Sequence, residues 1–149
     1  MKKLVRITTV PISLEKLLEN QARFFKTYYS VTLVSSQKEQ LQRLAKEQGV
    51  NHFSLEMTRK ITPLHDLRCL LQLIRFLRKE KPHIVHSHTP KAGIVGMLAA
   101  FIAGVPLRMH TVAGLPLMEA KGLKKSILFV VERLTYRCAT HVYPNARGL

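Results

Sequence analysis

One feature restricts the fold of this chain more than any other. Short β-branched or apolar runs alternate, one for one, with segments whose apolar residues fall three and four apart. Strands are predicted at Leu4 to Val10, Val31 to Val34, Val50 to Leu55, His83 to Ser87, Leu107 to Val112 and His141 to Tyr143. Between them, Ser13 can cap a helix carrying Leu14, Leu17, Leu18, Ala22 and Phe25. Ser36 and Glu39 have the S-x-x-E spacing of a capping box ahead of Leu41, Leu44 and Ala45, and Gly49 ends that helix. Thr62 and Pro63 open another, reaching about Lys79, with Asp66 placed to meet the dipole of the first turn. Its inward residues are predicted to be Leu67, Leu70, Leu71, Ile74 and Leu77, with Arg68, Gln72, Arg75 and Lys79 opposite. A last helix is predicted from Leu123 to Arg137, apolar nearly all round from Ile127 to Val131. Strict alternation argues for an α/β fold: a doubly wound parallel sheet of about six strands with helices on both faces.

The stretch from Pro82 to Pro106 organises the rest. A strand ends at Ser87 and a helix of small and apolar residues begins after Thr89, its expected N-cap, with Pro90 at the first helical position and Gly104 as the stop. In open parallel sheets such a turn lies at the carboxyl ends of the strands, where ligands bind. His86, His88, Thr89 and Lys91 are offered there together with the N–H groups of the helix start, a set suited to an anionic or polyhydroxyl ligand. The H-x-H pair puts both imidazoles on one strand face, which could begin a metal site. Without a further cluster of His, Cys or Asp, one histidine in the core and one at the strand end is the better reading, and no metal is expected. His110, Thr111 and Gly114 close the fifth strand. A glycine there permits close approach of a ligand and a histidine can bond phosphate or sugar oxygens, although the turn alone could require the glycine. Lys91 either holds an anionic group or is a solvated lysine of a first helical turn.

Several chemistries are excluded. No G-x-G-x-x-G follows the first strand, and Gly93 and Gly96 fall inside a helix with no G-K-[ST] after them, so dinucleotide and Walker-type phosphate loops are absent. No Ser-His-Asp or paired-carboxylate arrangement is legible. Cys69 and Cys138 lie in predicted helices and read as buried, reduced thiols of a cytoplasmic protein. The basic start MKKLVRITTVPIS is interrupted by Arg6, two threonines and Pro11, which argues against a signal peptide. The apolar run Ile94 to Leu107 is too short to span a bilayer. The sequence ends soon after the sixth strand, which reads as part of a longer polypeptide.

Charge points to a partner. Lys and Arg number 24 against 9 Asp and Glu, a formal net charge of +15, so an anionic surface is expected, either nucleic acid or acidic membrane. The basic residues are spread over several helices and the chain has no tryptophan, so a basic nucleic-acid-binding α/β module stands as the alternative reading. A complete small flavodoxin-like binding domain is a third.

The run PHIVHSHTPKAGIVGMLAAFIAGVPLRMHTVAGLP, followed by a helix and CATHVYPNARGL, resembles the N-terminal domain of family 4 glycosyltransferases, in particular the bacterial capsular-polysaccharide and lipid-linked sugar enzymes. The resemblance covers essentially the whole chain, strongest from Pro82 to Leu149 and weak in the first third. It implies a Rossmann-like acceptor-side domain over residues 1–149, facing a C-terminal nucleotide-sugar domain that this chain lacks. The implied reaction is retaining transfer of a sugar from a nucleotide sugar to a saccharide or polyprenyl-linked acceptor, with no cofactor and no nucleic acid. These 149 residues alone would be inactive. The implied acceptor-side residues are Thr9, Pro11, His86, His88, Thr89, Lys91 and Gly114, with His88 and His110 as catalytic candidates. An anionic membrane surface, at the cytoplasmic face of the cell membrane, would meet Arg68, Arg75, Lys79, Lys124 and Lys125. Two departures stand out. Members often carry a glycine-rich loop where Thr8 to Ser13 reads TTVPIS, and many have H-G where this chain has Ala113 and Gly114. The role of that histidine passes to His110, to His88, or to no residue. On this reading the turns after the first, fourth and fifth strands converge at one rim.

Overall fold

The computed structural model describes residues 2–9, 27–58, 62–112 and 122–144. Its elements are β1 (Lys2–Ile7), β2 (Tyr29–Ser35), α1 (Lys38–Gln48), β3 (Asn51–Ser54), α2 (Pro63–Glu80), β4 (Ile84–Ser87), α3 (Pro90–Ala103), β5 (Leu107–Val112), α4 (Gly122–Cys138) and β6 (His141–Pro144). The six strands form one sheet in the order β3-β2-β1-β4-β5-β6, and every neighbouring pair is parallel. The alternation seen in the sequence is therefore the architecture. From β1 the chain winds outward through β2 and β3, then returns to the opposite side of β1 for β4. The carboxyl ends of β1 and β4 mark the reversal, where such sheets open a crevice.

Burial explains the register. Leu4 pairs with Val31 and with Ile84, and this face packs under Leu41 and Leu44 of α1. Val5, Ile7, Val34 and Val85 point the other way into a core completed by Leu73, Leu77, Met97, Ala99 and Ala100 of α2 and α3. Each buried aliphatic side chain contributes about 1.5–3 kcal/mol, and a one-residue slip would turn the whole set outward. Helix α3 lies between α2 and α4 on the sheet, which is why it is apolar nearly all round. A Cβ on Gly96 would come within 3.1 Å of Ile7 Cδ1, so the glycine sets how closely the helix approaches β1. The helix stops at Gly104, at φ +78, where Val105 N–H bonds Ala100 O at 2.9 Å.

Four details differ from the sequence reading. Gln37, at φ 57, is the N-cap of α1 and makes no side-chain cap bond. Ser36 does not form the predicted capping box, because the Thr9 carbonyl takes both its N–H at 3.1 Å and its hydroxyl at 2.7 Å. A tertiary acceptor has taken the place of the local N–H donor. In α2, Leu67 and Leu71 face outward, 52% and 48% exposed, while Cys69 and Leu73 are buried at 2% and 0%. The inward stripe is set by where the sheet and α3 lie: it keeps Leu70, Ile74 and Leu77 as predicted and takes Cys69 and Leu73 in place of Leu67 and Leu71. Third, β3 is shorter than predicted, and fourth, Thr62 is the N-cap of α2 by position, as read, but makes no side-chain cap bond and donates its hydroxyl to Asp66 Oδ1 at 3.0 Å. Cys69 and Cys138 are free and buried, as read. Val10 and the helix predicted from Ser13 lie outside the described residues.

Candidate functional site

Strand alternation and parallel register gather one polar cluster at the reversal point. Arg6 pairs in register with His86, and both point to the face that carries Leu4 and Ile84. Arg6 Nη2 lies 3.1 Å from His88 Nε2. The His86 and His88 rings lie 4.1 Å apart, centroid to centroid, tilted by 32°. His86 Nε2 in turn meets Thr111 Oγ1 at 2.7 Å. A polar chain thus crosses β1, β4 and β5 on one side of the sheet. Arg6 and His88 are buried and His86 is half-buried.

Burial sets the charge states. The Arg6 guanidinium is lowered to about 10 by desolvation, so it remains protonated at neutral pH. His88 is lowered to about 2, first by burial and then by His86, Arg6 and His110. His86 is lowered to about 3 by burial, then by Arg6 and His110. Both imidazoles are neutral around one buried cation.

The other catalytic candidate faces away. His110 is in register with Ser87, one residue out of phase with His86, so it points to the opposite side of the sheet. Its Nδ1 lies 2.8 Å from Ser87 Oγ. Its ring rests on the backbone of α3, where a Cβ on Gly93 would sit 2.5 Å from His110 Cε1, and Tyr136 of α4 is 6.3 Å away, centroid to centroid. Burial lowers His110 to about 4, partly offset by its hydrogen bond to Ser87. The sheet therefore separates His110 from His88.

The remaining predicted residues divide. Thr9 and Thr89 join the ends of β1 and β4: Thr9 N–H donates to Thr89 Oγ1 at 3.2 Å and the two hydroxyls are 2.7 Å apart. Thr89 is the N-cap of α3 by position, with Pro90 following, but its hydroxyl serves Thr9 and makes no cap bond. Lys91 reaches Asp66 Oδ1 at 2.8 Å and Thr58 Oγ1 at 3.5 Å, so it ties the start of α3 to the start of α2. Pro11, Ala113 and Gly114 lie outside the described residues. Arg68, Arg75, Lys79 and Lys125 are exposed, and the Lys124 side chain lies outside the described set. Among the described residues, no group of three or more His, Cys, Asp or Glu could hold a metal, and no helix is long and apolar enough to cross a membrane. Arg6 was not among the predicted site residues. Its signal was legible, since it is the one charge in an otherwise apolar strand run.

The arrangement is a set of neutral donors and acceptors beside one cation, at the reversal point of a doubly wound sheet. Residues 14–149 match the glycosyl transferase 4-like domain. The chain belongs to that family. It is 39% identical over 149 residues to the capsular polysaccharide biosynthesis glycosyltransferase CapM of Staphylococcus aureus, covering 99% of this chain and 38% of that protein. It is 38% identical over 89 residues to the UDP-Gal:alpha-D-GlcNAc-diphosphoundecaprenol alpha-1,3-galactosyltransferase of Escherichia coli, covering 58% of this chain and 22% of that one. The chain thus spans well under half the length of these relatives. Among solved structures, HepE of Anabaena in complex with UDP and glucose matches 95% of this chain and 38% of its own, with a TM-score of 0.69 at 15% identity. MurG of Acinetobacter baumannii matches 95% and 41%, with a TM-score of 0.59 at 18% identity. At such identities the likeness is one of fold.

Proposed function

We propose that this chain is the acceptor-side domain of a retaining glycosyltransferase that moves a sugar from a nucleotide sugar to a lipid-linked saccharide in cell-surface polysaccharide synthesis. The observation that carries this reading is the polar cluster Arg6, His86, His88 and Thr111, placed at the reversal point of the sheet in a chain of the glycosyl transferase 4-like family. Neutral imidazoles and threonine hydroxyls suit sugar hydroxyls, because they bond without the desolvation cost of a second charge. Retaining transfer of this kind depends on stabilising the departing nucleotide diphosphate, a task for an opposing donor domain. The cluster's own part is orientation of the acceptor, and nothing in it calls for a cofactor.

The same reading gives the basic surface a partner. The exposed stripe of α2 mixes Leu64, Leu67 and Leu71 with Arg68 and Arg75, and α4 exposes Leu123, Phe129 and Val130 beside Lys125 and Arg133. Leucines set among arginines suit the headgroup boundary of an anionic bilayer, each basic residue adding about 1 kcal/mol near the surface. On this reading the domain sits peripherally at the cytoplasmic face of the membrane. Family membership favours this partner over nucleic acid.

The test is calorimetric titration of the 149-residue chain. It should bind a short-chain polyprenyl diphosphate-linked monosaccharide in micelles and leave UDP-sugars unbound. Tighter binding of UDP-sugar than of acceptor, or sugar transfer by this chain alone, would overturn the assignment. Co-sedimentation with vesicles should require anionic lipid and weaken with salt, and equal binding to neutral vesicles would remove the membrane part.

A further inference from the structure

We propose that Arg6 is a positioning residue: its guanidinium holds His88 in the Nδ1–H tautomer, so that His88 meets a substrate oxygen as a hydrogen-bond donor and not as a proton acceptor. The substrate half of this statement rests on the transferase reading, and the tautomer half does not. A guanidinium carries only donors, so in the 3.1 Å contact Arg6 Nη2 donates and His88 Nε2 must accept. A neutral imidazole whose Nε2 accepts carries its proton on Nδ1. The geometry holds this arrangement from several sides. Arg6 is anchored within β1, in register with His86 of β4. His88 N–H bonds Ile7 O at 3.1 Å, which fixes the backbone from which the ring hangs. The His86 ring lies against it, tilted, with centroids 4.1 Å apart, and is itself tied to Thr111 of β5. Among the described residues, His88 Nδ1 has no hydrogen-bond partner.

The charged and titratable groups that bear on His88 are Arg6 from β1, His86 from β4 and His110 from β5, and each disfavours a second proton on the ring. The tautomer is therefore constant across the physiological range. A histidine held this way has no free lone pair with which to take a proton from an acceptor hydroxyl. What it offers is one N–H at a set position.

The experiment is long-range proton–nitrogen correlation spectroscopy of the labelled 149-residue chain, with His88 assigned from His88→Gln. Wild type should show a protonated Nδ1 and an unprotonated Nε2 on His88, unchanged from about pH 8 to about pH 5. Arg6→Lys keeps a donor-only cation and should keep the tautomer. Arg6→Met should move the proton to Nε2 in most molecules. A wild-type His88 protonated at Nε2, or titrating in that range, would overturn the proposal, as would an unchanged tautomer in Arg6→Met. If Arg6→Met fails to fold, the wild-type and Arg6→Lys spectra decide. For the substrate half, an asparagine amide lies near the Nδ1 position and a glutamine amide near Nε2. His88→Asn should keep about five-fold more acceptor affinity than His88→Gln. Equal affinities would sink the donor role. An acceptor that binds no variant, wild type included, would remove the transferase reading with it while leaving the tautomer result standing.

Discussion

The two sides of β4 use the same residue type in opposite ways. On the α3 side, His110 is bonded to Ser87 and occupies the space that Gly93 leaves open. On the other side, His86 and His88 lie against each other, tilted, beside a buried arginine. His88 and His110 are equally hidden from solvent, each 5% exposed, so burial alone does not distinguish them. Their neighbours do. His110 fills a gap, and a fitted ring is a structural asset. Burying a guanidinium among imidazoles carries a desolvation penalty that an apolar cluster of the same volume would avoid. Departures of that kind concentrate at functional sites. The comparison therefore gives the His110 side to packing and leaves the His88 side as the candidate for chemistry.

Acid should produce the largest effect and bears on both sides. His86, His88 and His110 have folded values of about 3, 2 and 4, all below the unfolded value of 6.5. Between pH 6.5 and about 4 the unfolded chain binds more protons, so stability is complete above 6.5 and falls as pH drops toward the folded values. At pH 5 each histidine should remove up to about 2 kcal/mol, or about 6 kcal/mol together. Urea unfolding at pH 7.5 and pH 5 reads this directly. His88→Asn should recover about a third of the loss. A loss unchanged by that substitution would mean that the cluster side does not carry its share.

Packing comes next. Gly93→Val places a branched side chain where even a Cβ would be 2.5 Å from His110 Cε1, and should destabilise by about 3 kcal/mol. A neutral result would show that His110 is free to move, and the contrast between the two sides would disappear. The smallest effect belongs to the rim that joins β1 to β4. Thr89→Val deprives Thr9 of the acceptor for its N–H and of its hydroxyl partner, and should cost about 1–2 kcal/mol. A larger loss would make the rim, and not the α3 side, the structural half of the site.

The fold was legible because its signals are local. Period-two and period-three-to-four patterns are properties of the chain itself, and they place the six strands and the four described helices in order. Gly49 and Gly104 end their helices as read, since both adopt positive φ. The H-x-H pair shares a face as read, because strand alternation is local too. The site was legible only in part. Lys91 carries no mark in the sequence of its pairing with Asp66, 25 residues earlier on another helix. His110 was set beside His88 as a candidate, and only the strand register shows that it points the other way.

What the sequence determined by itself is which segments are strands, which are helices, and which side chains share a face of one element. What the tertiary structure decided is which stripe of α2 turns inward, whether Ser36 caps a helix or bonds Thr9, and that Arg6 meets His88 across 82 residues of chain. The physical reason is range. Periodicity is set by backbone geometry within a few residues, whereas register and facing are set by burial shared among elements far apart in sequence.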